Sequence, residues 1–114
     1  APIGYPQFRR AAWVRLATAH QRERVAVGAI SPTGIIVETA RDWGREHLFT
    51  ISIDGVGDYG ARREAAAQCD EDMMVLLFVQ PLHYRAFSEW LVATPSAEVP
   101  IPFIAARDGH QHWV

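Results

Sequence analysis

Met73-Met74-Val75-Leu76-Leu77-Phe78-Val79 is an unbroken apolar run, preceded by Asp70-Glu71-Asp72 and followed by Gln80-Pro81. A helix with no polar face must be buried all round, and a chain of 114 residues has little room for one. A strand covered on both faces produces such a run naturally. The run is read as the central strand of a sheet. If residues 61–80 formed one long helix instead, the sheet would lose its centre and become an antiparallel meander.

On the N-terminal side of that run, Ala61 to Cys69 is rich in Ala and Arg and predicts a helix by propensity. Before it, Gly55-Val56-Gly57-Asp58-Tyr59-Gly60 breaks a strand expected over His47–Asp54, where apolar and hydroxyl residues alternate. Val25–Ile30 and Ile35–Thr39 flank Ser31-Pro32-Thr33-Gly34, the residue order of a type I turn, and predict a β-hairpin. Residues 7–22 predict a helix, because Phe8, Ala12, Leu16 and Ala19 fall on one helical stripe. On the C-terminal side, Leu82–Ala93 carries Leu82, Phe87, Trp90 and Leu91 at helical spacing after Pro81. Asp108-Gly109 marks a closing hairpin over residues 99–114.

The expected fold is therefore α+β, a single domain over residues 1–114. A mixed, mainly antiparallel sheet of about five strands would pack with three helices in the order α-β-β-β-α-β-α-β, with a possible C-terminal hairpin. The step from strand 48–53 through helix 61–69 to strand 73–79 would be a right-handed parallel crossover.

Composition narrows the chemistry. All eleven basic residues are arginine, so mechanisms built on a lysine nucleophile or Schiff base are excluded. The abundance of Ala and Arg suggests a bacterial origin. The one cysteine, Cys69, makes no internal disulfide, and it precedes three carboxylates that disfavour a thiolate. No apolar run reaches membrane-spanning length and no secretory leader is expected, so the expectation is a cytoplasmic protein away from the membrane. The net charge of −2 hides an asymmetry. Residues 9–24 hold five arginines against Glu23, whereas residues 54–72 hold six acidic residues against Arg62 and Arg63. Such patches could steer a partner or meet across a self-complementary interface.

Two stretches stand out as candidate binding sites. Gly55, Gly57 and Gly60 spell G-x-G-x-x-G between a predicted strand and a predicted helix, where backbone amides could hold a phosphate, with Arg62 and Arg63 adding charge. Asp54 and Asp58 oppose an anion there, and the acidic ribose partner of dinucleotide sites is missing. Trp43, Arg45 and His47 form the second candidate, a loop whose composition suits a protein interface. His110 and His112 share a strand face, but nothing near them in sequence completes a metal site.

The sequence thus predicts a small binding or interaction module without catalysis, cofactor or metal. The partners expected are a second copy of the chain in a homodimer, another protein, or a small anionic ligand, and not nucleic acid. The alternative is a phosphate- or nucleotide-ligand-binding protein or small enzyme using the Gly55–Gly60 turn.

Overall fold

Six antiparallel strands close into a barrel in a computed structural model that describes residues 8–64 and 72–96. In chain order they are β1 (Trp13–Ala17), β2 (Arg22–Ser31), β3 (Gly34–Glu38), β4 (Leu48–Ile53), β5 (Gly57–Arg63) and β6 (Met73–Phe78). One helix, α1 (Tyr84–Ala93), follows. Around the barrel the order is β1-β2-β3-β6-β5-β4. The first three strands form one meander and the last three another. The 39–47 connection carries the chain from β3 to β4, which pairs with β1 in a Greek-key arrangement.

This corrects the expected α+β fold. Helix 7–22 is absent where it overlaps the described chain, and β1 occupies its middle. Val14 and Leu16 point inward while Trp13 and Arg15 point out, a period of two that the coincident helical stripe obscured. The segment expected to begin a helix at Ala61 is the end of β5. Ala61 sits in register with Phe49 on one side and Phe78 on the other, fully buried between two rings. A small side chain is what that layer has room for, so packing overrides the helical propensity of alanine. With β5 in place of a helix, the parallel crossover vanishes and every strand pairing is antiparallel.

The apolar run is a strand, Met73–Phe78, lying between β3 and β5. Met74, Leu76 and Phe78 face the interior, and Val75 is buried on the opposite face. The β2–β3 hairpin also forms, and the buried Ser31 hydroxyl accepts bonds from the backbone N–H groups of Thr33 and Gly34. A register shift at Gly28 inserts one extra residue, so Val25 and Val27 before it and Ile30 after it all reach the interior.

Each barrel end has a plug. Trp43, from the β3–β4 connection, packs edge-on against Phe49 at 5.5 Å. At the end carrying the β2–β3 turn, the Leu82 N–H donates to the Pro32 carbonyl and Phe87 of α1 packs beside Phe8. The helix starts at Tyr84 with His83 as its cap, and buries Phe87 with Trp90 and Leu91 half-buried against the core. The expected strand entrance at Pro100–Pro102, the hairpin over 99–114, His110, His112, Cys69 and Asp70–Glu71 lie outside the described residues.

Candidate recognition groove on the β1–β2–β4 face

The side chains that alternate outward from β1, β2 and β4 border an open groove of about 620 Å³. Its axis is β1, which contributes Trp13, Arg15 and Ala17 on that face. Arg22 and Arg24 flank it from β2, and Thr50, Ser52 and Asp54 flank it from β4 and the turn beyond. Strand register dictates who meets whom. Arg15 stands directly opposite Arg24 on one side and Ser52 on the other, while Ala17 stands between Arg22 and Thr50. Ala17 on the axis and Thr50 and Ser52 on the β4 side leave the depth of the groove open.

Two guanidinium groups in opposed cross-strand positions repel each other. Each is turned to a partner of its own. Arg15 donates to the Asp54 carboxylate at 2.9 Å, and Arg24 lies over the Trp13 ring at 5.2 Å from its centre. Both arrangements are open to water: the Arg15 and Asp54 side chains are 60% and 85% exposed, and Trp13 is 56% exposed. An ion pair so exposed contributes at most about 1 kcal/mol, so Arg15 can exchange one carboxylate for another at little cost. Glu23 is engaged at the start of the β3–β4 connection and not by the groove arginines. Its carboxylate accepts the Thr39 hydroxyl at 2.6 Å and lies 3.7 Å from Arg41.

The eight residues singled out from the sequence do not converge. Trp43 is a buried plug, only 3% exposed, with its indole N–H donated to the Thr39 hydroxyl. Arg45 and His47 lie exposed in the same connection. Gly55 and Gly57, at φ +84° and +133°, make the tight β4–β5 turn, and Gly60 lies within β5 opposite Thr50. The strand therefore leads into another strand, and the helix N-terminus that would have held a phosphate is not there. Arg62 is exposed on the outside of β5. Arg63 is committed to the barrel end, over the Phe49 ring and bonded to the Gly44 carbonyl and the Met74 sulfur.

Sequence reasoning passed over Trp13, Arg15, Arg22, Arg24 and Asp54 as a site, because a helix over 7–22 would have scattered the arginines. The available signal was the alternation Trp-Val-Arg-Leu-Ala at 13–17 beside Arg-Glu-Arg-Val at 22–25, read at strand period. The local excess of arginine was itself visible. Among the described residues no three His, Cys, Asp or Glu side chains gather as a metal site, and no helix is long and apolar enough to cross a membrane. Comparison with protein families, with curated proteins and with solved structures finds no match for this chain.

Proposed function

We propose that the protein is a non-catalytic binding module that takes an anionic partner on the outer face of β1, β2 and β4. The observation that carries this reading is the opposed Arg15–Arg24 pair beside a half-exposed Trp13. Facing like charges weaken a sheet, and an aromatic ring left outside the core forgoes most of its burial energy. Tryptophan and arginine together are the residues on which recognition surfaces most depend. Among the described residues the groove is bordered by no histidine or cysteine, and the two carboxylates there are engaged by Arg15 and by Thr39 with Arg41. That favours binding over acid–base or nucleophilic chemistry.

The test is a thermal-shift titration with polyglutamate, mononucleotides and inorganic phosphate, repeated on Arg24→Glu. The module reading expects at least one probe to raise the melting temperature of the native protein and Arg24→Glu to lose that rise. Indifference of the native protein to all three would end it.

A second reading is self-association. Asp54 and Asp58 are exposed at the β4–β5 turn next to the arginine face, so one molecule offers both halves of an isologous contact. Sedimentation velocity at micromolar concentration would then show a dimer that Asp58→Arg dissociates. A monomer throughout that range would remove this reading.

A further inference from the structure

We infer that the groove receives an extended acidic segment of another protein, of which a carboxylate engages Arg15 and Arg24 and an apolar side chain lies on Trp13. This rests on the reading of the β1–β2–β4 face as the binding surface. Four observations select the occupant.

The first is openness. Small-molecule sites bury most of their ligand in a concavity, whereas Trp13 is 56% exposed and the Arg15 and Asp54 side chains 60% and 85%. A face this open suits a chain laid along it. The second is spacing. Trp13 and Arg15 are two residues apart on one strand face, roughly 6.8 Å, which is also the distance between alternate side chains of an extended peptide. An apolar residue over Trp13 therefore brings the next-but-one side chain to Arg15, and the recognised pattern is apolar-x-acidic.

The third observation is that Arg15 already holds a carboxylate, that of Asp54, at 2.9 Å. The guanidinium is in place for a carboxylate, and Asp54 occupies the position that an incoming acid would take. Binding is then an exchange of one carboxylate for another, with Asp54 as the internal competitor. The fourth concerns what the face disfavours. The barrel is closed, so strand addition at a free edge is not open to the partner and recognition runs through side chains. A nucleic-acid strand carries a phosphate at every residue and would meet Asp54 in the groove and Asp58 beyond it, opposite Ser52. A peptide can separate its charges with neutral residues and so bring a single carboxylate to the place where Asp54 gives way.

The experiment is fluorescence anisotropy with a short fluorescein-labelled peptide repeating Leu-Ser-Glu-Ser, its glutamine counterpart, and a labelled single-stranded oligonucleotide. The glutamate peptide is expected to bind, and the glutamine peptide not to. Arg15→Ala and Arg24→Ala each weaken binding about tenfold, whereas Arg85→Ala on α1 leaves it unchanged. Asp54→Asn, which removes the competitor, tightens binding roughly two- to fivefold. These side chains are at the surface, so melting curves near that of the native protein will show that each variant folds. Equal binding of the glutamine peptide, or weaker binding by Asp54→Asn, overturns the inference. Tighter binding of the oligonucleotide, abolished by Arg24→Ala, overturns it while leaving the binding face intact. Peptide binding indifferent to both arginines, or no binding by any probe, overturns both.

Discussion

The Thr39 side chain ties three parts of the chain together. Its hydroxyl donates to Glu23 at 2.6 Å and accepts from the Trp43 indole at 3.1 Å and the Arg41 N–H at 3.2 Å, while Arg41 itself lies over the Trp43 ring. One side chain thereby fixes the plug, the start of the β3–β4 connection and a carboxylate of β2. Thr39→Val keeps the shape and strands the indole N–H in a buried place. We expect a loss of about 1–3 kcal/mol, measured as a lower urea midpoint with an unchanged slope. Asp54→Asn should behave in the opposite way. Its ion pair is so exposed that stability should change by no more than about 1 kcal/mol in the same experiment. The contrast separates a residue that holds the barrel from one that guards the groove.

Among the elements, β2 shows how one residue sets a face. The extra residue at Gly28 shifts the strand's alternation, so Val25 and Val27 before it and Ile30 after it all face the interior. A Cβ there would lie 3.2 Å from the Ile36 carbonyl oxygen and 3.2 Å from the Met73 methyl. The methyl can swing aside, whereas the carbonyl belongs to the paired strand. Gly28→Val should cost about 1–3 kcal/mol and Gly28→Ala less, both read by thermal melting. Leu76→Ala, at the fully buried centre of β6, should cost about 2–5 kcal/mol. The strands that sequence reasoning located, β2, β3, β4 and β6, are those whose apolar residues are β-branched or unbroken. The two it missed, β1 and β5, contain Arg15, Ala17, Gly60, Ala61, Arg62 and Arg63. Those residue types favour no strand, so the alternation of β1 was hidden under a helical stripe, and Ala61 of β5 is explained only by its neighbours across the barrel. The binding face was illegible for the same reason: its arginines were conspicuous in composition, but β1 had to be recognised as a strand before they could be placed side by side.

At the scale of the whole molecule, the barrel is closed by contacts distant in sequence, β1 with β4 and β3 with β6. Chains dominated by such pairings fold in milliseconds to seconds, and stopped-flow refolding monitored by tryptophan fluorescence should fall in that range. The two closures are unequal. β3 and β6 are paired from Gly34 to Glu38, whereas β1 and β4 are paired only from Arg15 to Ala17 against Thr50 to Ser52. The short closure lies directly beneath the groove. A segment gripping Arg15 on β1 while resting on Ser52 and Thr50 of β4 would act as a clasp across that seam. Local opening at the seam would then become rarer in proportion to occupancy, so amide deuterium uptake at residues 15–17 and 50–52 should slow when the groove is filled, while the β3–β6 amides exchange as before. The shorter of the two long-range closures would thus report on its occupant.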